Sequence, residues 1–457
     1  MMDLKELKNN QYIKAVFLMG IFTFVFLGIE YLFVNRMSLF TSENQTVLSQ
    51  NYALGVSFIG FLCYPLYRRM IKKEKVGYLV FIFMTIACLL MFSFVMNESL
   101  IFWSGMLCFL VLGILGSGTY YKANCLIENK AYLARTVGIS YMVGIVLQFI
   151  DHNVMTSLLL EILFIITSLV VLGYLLSQQY IIQERSKEKT QSYQLPAILL
   201  IGMIILMSIV FSTLDNAVTL VHATGVFDIG QLPRILLAVS GVFAGFVFDF
   251  HSRKYMSLTM LCIMMLSTIC MITIKFSKPF LLGLLIFYMT AGFFVVFFTS
   301  SFMELACYSG YPDLFSGLGR AINNMTAALM TNASLMFLSS NDYMMIIVVT
   351  ILFFVLTSVV TFVYTIQRNH FLFHDEVVPQ LSEEEILQMI QEEFSLTPRE
   401  TEVFHYLVTT EESIQSIADM LYISKRTLER YISSLYQKTG SKTRVGLMNI
   451  YNQKTLS

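Results

Sequence analysis

Long apolar runs separated by short polar connections make up most of the chain. Twelve can be counted, at about 13–34, 51–67, 76–97, 100–121, 136–150, 155–178, 196–219, 231–249, 256–274, 279–303, 321–340 and 343–367. The apolar residues in each run are continuous, not alternating, which predicts helices and argues against barrel strands. A helix crosses a bilayer with about 20 such residues. Each run therefore predicts a spanning helix, and the short second and fifth runs are expected to extend into their flanks. After residue 367 the pattern changes to short amphipathic stretches, with charges between apolar residues at helical spacing.

Composition strengthens the membrane reading. Hydrophobic residues make up 56% of the 457 and charged residues 13%, against roughly 45–50% and about 25% in soluble proteins. The seven cysteines fall mostly inside apolar runs, as Cys88, Cys108, Cys262 and Cys270 do, and none forms a CxxC pair. They read as small buried hydrophobes with no disulfide framework. The first run is too long for a cleavable signal peptide and reads as a span.

Formal net charge is zero, but the charges are segregated. An even number of spans puts both termini on one side. Connections on that side carry Lys5, Lys8, Lys14, Arg68, Arg69, Lys72, Lys73, Lys75, Lys122, Lys130, Arg135, Arg185, Lys187, Lys189, Arg253, Lys254, Arg320 and Arg368; the other side has Arg36, Arg234, Lys275 and Lys278. The positive-inside rule then predicts a multi-pass protein of the cell membrane with cytoplasmic N- and C-termini. The longest connection of the membrane part, "QQYIIQERSKEKTQSYQLP", separates two halves of six spans. The halves match at an offset of 185 residues: "GFLCYPLYRR" from Gly60 onto "GFVFDFHSRK" from Gly245, and Glu30 onto Asp215. Two matches at one offset predict a duplicated bundle.

In the tail, Ser382 and Glu385 form a capping box, and Ile386, Leu387 and Ile390 share a face. This short acidic helix reads as a solvated spacer; a dimer contact or a clamp on the tail is the other reading. Next, Thr397, Pro398 and Glu400 give an N-cap, a first-turn proline and a capping glutamate. Val403, Phe404 and Leu407 supply that helix's buried side. A second helix starts near Ser413, with Ile414, Ile417, Ala418 and Leu421 at helical spacing. Ser424 caps a third, with Leu428, Ile432 and Leu435 inward, and Ile423 and Leu428 are placed for a hydrophobic staple. Two short helices joined by a tight turn predict a helix-turn-helix. Charge agrees: from 379 to 423 the only base is Arg399, whereas from 424 to 457 the only acid is Glu429. The third helix thus carries the charge for phosphates of double-stranded DNA.

Two family resemblances follow from these residues. "GFVFDFHSRK" resembles the loop motif of the major facilitator superfamily, through Gly245, Asp249, Arg253 and Lys254, which the resemblance casts as a gate. The copy after the second span keeps Gly60, Arg68 and Arg69 but has Tyr64 in place of the expected Asp. The resemblance further implies that the first, fourth, seventh and tenth spans line a central cavity. The tail resembles the LuxR-type DNA-binding domain over about 55 residues, through "LTPRE" (Leu396 to Glu400), Ile417 and Ala418, Leu421, Ile423 and Ser424, Thr427, Ile432 and "KTGSKTR". Tyr431 stands where the family usually has His, Glu411 and Ile414 replace a usual Gly and Asn, and Glu429 a usual Lys or Arg. On this resemblance the DNA-binding residues are Lys425, Arg426, Thr427, Glu429, Arg430, Ser433 and Lys438. Lys425 and Lys438 would meet phosphates, Arg430 and Ser433 would face bases, and Glu429 can accept from cytosine N4. A fourth helix after Thr443 would serve homodimer contact.

The predicted fold class is all-α: a twelve-helix membrane bundle of two six-helix repeats with a small C-terminal LuxR-type helix-turn-helix domain. The expected divisions are 1–178 and 196–367 for the halves, 179–195 for their connection, 368–394 for the acidic linker helix and 395–457 for the DNA-binding domain. Ionisable groups within a bilayer usually face a cavity or a partner. Glu30 and Asp215 are the candidate ligand anchors, with Trp103 and Tyr288 as aromatic walls; Arg234 is a possible partner of Asp215. Glu161 reads as a helix-packing residue. His370 and His374 are spaced like metal ligands but lack a third. No metal, cofactor or nucleophile–base set is evident, so an enzyme is not expected. The combination predicts a one-component membrane-embedded transcription regulator, with the transporter-like bundle sensing a small molecule. The alternatives are a functional solute transporter with a regulatory DNA-binding tail, and a passive membrane anchor.

Overall fold

The computed structural model describes residues 10–70, 74–155, 157–178, 193–224, 234–276, 280–340, 342–373, 383–410 and 412–455. Most of the 179–195 connection, Ser382 and His374 lie outside them. Two compact units divide the chain, Met1–Asn369 and His370–Ser457.

The first unit is built from α1 (Asn10–Ser38), α2 (Glu43–Met70), α3 (Glu74–Phe94), α4 (Glu98–Leu126), α5 (Leu133–Val154), α6 (Leu158–Ser177), α7 (Gln194–Ala223), α8 (Ile235–Phe248), α9 (Met256–Phe276), α10 (Phe280–Ala306), α11 (Pro312–Ser339) and α12 (Tyr343–Phe373). Each falls on one predicted run. Among the described residues, nine helices are long and apolar enough to cross a membrane, and the described parts of α8 and α9 are shorter apolar helices. The remaining one, α11, begins well before the predicted start at 321. It carries Asp313, Ser316, Arg320, Asn323 and Asn324 on or beside its buried face, so hydropathy alone does not mark its first turns.

The two halves meet along α2–α11 and α5–α8, while α12 is peripheral. Only 22% of the apolar window of α12 is buried, against 61% for α7. The α5–α8 seam is lined by small residues. A β-carbon on Gly138 would collide with the carbonyl oxygen of Gly241, and one on Gly245 would lie 2.7 Å from that of Ala134. The two backbones therefore touch directly. Of the four cysteines expected to be buried, Cys88, Cys108 and Cys270 are, but Cys262 is exposed on the outer surface of α9.

The second unit contains α13 (Glu383–Glu393), α14 (Pro398–Thr409), α15 (Ile414–Met420), α16 (Lys425–Thr439) and α17 (Arg444–Thr455). The anticipated caps form. Thr397 and Glu400 make a reciprocal capping box, and Ser413 and Ser424 cap α15 and α16. Gly440, at φ 70°, ends α16 in the left-handed conformation that favours glycine. The acidic helix α13 is no solvated spacer. Its Ile386 and Ile390 are buried in one core with Phe404, Leu407, Leu428 and Leu447, and Glu393 pairs with Lys454 of α17 at 2.6 Å. An apolar face of three residues in an acidic helix was visible in sequence; what it packs against was not.

Candidate ligand cavity, mouth latches and DNA-binding surface

A cavity of about 170 Å³ lies between the halves, lined mainly from α1, α2, α7, α8, α10 and α11. Glu30, Asp215 and Tyr288 all line it. The acids occupy corresponding places on α1 and α7, as the 185-residue offset predicts. Glu30 Oε1 accepts from Gln50 Nε2 at 2.7 Å. Trp103 does not reach the cavity: it is 69% exposed on the outer side of α4. An apolar indole on a span is as well satisfied by lipid as by a cavity wall, and the sequence could not choose between them. Two cations join the acids. Arg234, at the start of α8, lines the cavity without closing an ion pair with Asp215. Arg320, counted above as a connection charge, lies inside α11; its guanidinium sits over the rings of Phe26 and Phe298, 5.3 and 5.9 Å from their centroids. Phe211 and Phe294 stack face to face at 4.3 Å to form an aromatic wall.

At the end of the bundle where α4 closes and α5 begins, the gate motif builds a buried ion network. Asp249 Oδ1 and Oδ2 accept from the backbone N–H groups of Ala134 and Arg135 at 3.1 and 2.8 Å. A carboxylate thereby caps the positive end of α5. Arg253 bonds Asp249 at 3.1 Å, the carbonyl of Lys130 at 2.5 Å and Glu304 at 2.9 Å. Glu304 in turn binds Arg368 at 2.7 Å, and Arg368 donates to the carbonyl of Arg253 at 3.0 Å. His251, Ser252 and Arg253 all have positive φ (47°, 53° and 65°). Such a backbone costs roughly 1–2 kcal/mol per residue without glycine, and the bonds of Arg253 offset that cost. Lys254 is exposed and outside the network. Glu304 and Arg368, absent from the motif, complete it.

The first-half copy is rebuilt differently. Tyr64 is fully buried, with its hydroxyl 3.1 Å from that of Tyr78. The missing carboxylate is supplied from the opposite helix: Asp313, in the first turn of α11, lies 3.6 Å from Arg68. Arg68 also covers the ring of Tyr121 at 4.3 Å.

In the C-terminal unit, the inward positions of α16 are Leu428, Ile432 and Leu435. Its outer surface exposes Lys425, Arg426, Glu429, Arg430 and Ser433, with Thr427 half-buried and bonded to Ser424 in the cap. Lys438, expected to meet a phosphate, is engaged within the domain. Its Nζ binds Glu400 Oε2 at 2.7 Å and the carbonyl of Ser395 at 3.0 Å, clasping the end of α16 to the start of α14. Arg399 and Arg444 are likewise engaged internally, with the carbonyl of Leu421 at 2.8 Å and those of Leu407 and Glu412 at 2.7 and 2.8 Å. A charge count along the sequence cannot separate such cations from those left facing solvent.

Residues 394–450 match the family described as bacterial regulatory proteins, luxR family. No curated protein matches the chain. Among solved structures, the chain is similar to a bacterial homologue of the iron transporter ferroportin in its outward-facing state, at TM-score 0.53 and 13% identity, covering 78% of this chain and 99% of that one. It is also similar to the major facilitator superfamily transporter FucP in the outward conformation, at TM-score 0.52 and 11% identity, covering 79% and 99%, and to an autoinhibited peptide transporter of the POT family, at TM-score 0.52 and 9% identity, covering 78% and 96%. The chain is thus a multi-pass membrane protein with a major-facilitator-like fold. Its C-terminal part is a LuxR-type helix-turn-helix domain.

Proposed function

We propose that this protein is a one-component membrane-embedded transcription regulator. A small molecule in the central cavity biases the bundle between two arrangements, and the cytoplasmic helix-turn-helix reads the outcome on promoter DNA. The observation that carries this reading is the position of Arg368. It is buried in the ion network at the bundle's mouth, yet stands one residue before the end of the first unit. The otherwise peripheral α12 is held there by a bond that depends on Glu304 and the Arg253 turn. A rearrangement at the mouth therefore acts directly on the helix that leads to the tail.

In this reading both termini are cytoplasmic, the halves are separated by the 179–195 connection, α13 works as part of the C-terminal domain whose core it shares, and homodimerisation runs through that domain. Moving a 1:99 equilibrium to 99:1 takes about 5.5 kcal/mol of differential affinity, which a desolvated charged ligand against an aromatic wall is suited to supply. A promoter reporter in cells tests it. Glu30→Gln and Asp215→Asn should each blunt ligand-dependent transcription, and Arg368→Gln should uncouple transcription from ligand, all without weakening DNA binding by the isolated tail. Parental responses from all three variants would sink the reading.

A second reading, a working transporter with a regulatory tail, is favoured by one observation: Asp313 restores a carboxylate to the first-half mouth where Tyr64 removes it. Solute flux or proton coupling in vesicles containing the purified protein decides it.

A further inference from the structure

We propose, resting on the sensor reading, that the cavity takes a small zwitterion: an aromatic molecule bearing one ammonium and one carboxylate, between an amino acid and a dipeptide in size. Four ionisable side chains line this one cavity, two of each sign: Glu30, Asp215, Arg234 and Arg320. Each acid lies within electrostatic reach of both arginines. Among the described residues, however, neither arginine closes an ion pair with either acid, and the Nε of each is buried without a hydrogen-bond partner.

Charges withdrawn from water need partners. A simple cation would engage the acids and leave two guanidinium groups unanswered, and a simple anion would do the reverse. A zwitterion satisfies both sets at once and keeps the site neutral. Its carboxylate suits the planar fork of a guanidinium, and its ammonium suits Glu30 and Asp215. The Phe211–Phe294 stack and Tyr288 offer an aromatic body a surface of matching shape. Size agrees: at about 30 Å³ per water, 170 Å³ corresponds to about six waters, the scale of one aromatic amino acid.

The test uses full-length protein in lipid nanodiscs and calorimetric titration. The probes are phenylalanine, tyrosine, tryptophan and their dipeptides with alanine, each against its decarboxylated amine and its deaminated acid. At least one zwitterion should bind about tenfold more tightly than both of its analogues, the worth of one charge-assisted hydrogen bond. Arg320→Gln should erase the preference over the amine, and Glu30→Gln the preference over the acid, in variants whose melting temperature is retained. Binding by none of the zwitterions, or equal binding by either analogue, overturns the proposal. Zwitterion binding with a silent reporter would leave the ligand class standing and remove the sensor reading instead.

Discussion

Each of the two units uses an acid–base clasp to pin a helix end, and the two clasps differ in their surroundings. In the bundle, Glu304 holds Arg253 and Arg368, whose side chains are only 6% and 4% exposed. In the tail, Glu400 holds Lys438, whose side chain is 32% exposed. The first clasp is sealed by two guanidinium groups sharing a carboxylate; the second sits at the water's edge with one flexible ammonium. The comparison teaches that the strength of a clasp depends on what water can replace when it opens.

Glu304→Gln attacks the sealed clasp and should have the largest effect. It leaves two buried guanidinium groups short of a charge, for a loss of about 3–5 kcal/mol, measured by denaturant unfolding in detergent. A loss under about 1 kcal/mol would place this network with ordinary surface pairs. Glu400→Gln should cost the isolated tail less, about 2 kcal/mol, because it removes a capping contact as well as a partly screened ion pair.

The Glu400 carboxyl also predicts a pH window. Burial pushes it up, but hydrogen bonds from Lys438, Ser434 and Thr397 outweigh burial and hold it at about 2. A depressed carboxyl stabilises the fold fully above the ordinary value of about 4.3, and this contribution fades as pH falls toward 2. Chemical denaturation of the tail across that window should show the loss in the parent and lack it in Glu400→Gln.

Asp313→Asn should cost only about 1 kcal/mol, because Arg68 is 29% exposed and keeps Glu74 at 3.8 Å as a second partner. The smallest effect is expected from Lys438→Met, about 0.5 kcal/mol, and it should leave the salt dependence of DNA binding unchanged. Lys425→Ala should instead flatten that dependence by about one phosphate's slope. If the two lysines behave alike in a salt titration, Lys438 reaches DNA and the clasp opens on binding.

Much of the fold was legible because its signals are local. Continuous apolar runs marked the spans, and Thr397, Ser413 and Ser424 marked helix starts through chemistry completed within one turn. The repeat offset linked Glu30 to Asp215 before any cavity was seen. Signals that depend on a distant partner stayed hidden. Arg320 reads as a connection charge until α11 is found to start at Pro312. Asp313 takes over from the position of Tyr64 on a helix far along the chain, so no motif contains both. Trp103 shows the same limit from the other side: residue type was compatible with the assigned role, but the side chain lies on the outer side of α4.

The glycines where α5 meets α8 bear on how the halves can move. Helices that interlock side-chain ridges in grooves shift past one another by jumping from one notch to the next. Where Gly138 meets Gly241 and Gly245 meets Ala134, backbone lies against backbone, and the ring of Tyr141 rests on the face that Gly241 leaves bare. Such a seam offers fewer notches than a contact of ridges in grooves would. Detents that define separate positions must then come from elsewhere, and the charged groups at the mouth, which make and break as discrete bonds, are suited to provide them.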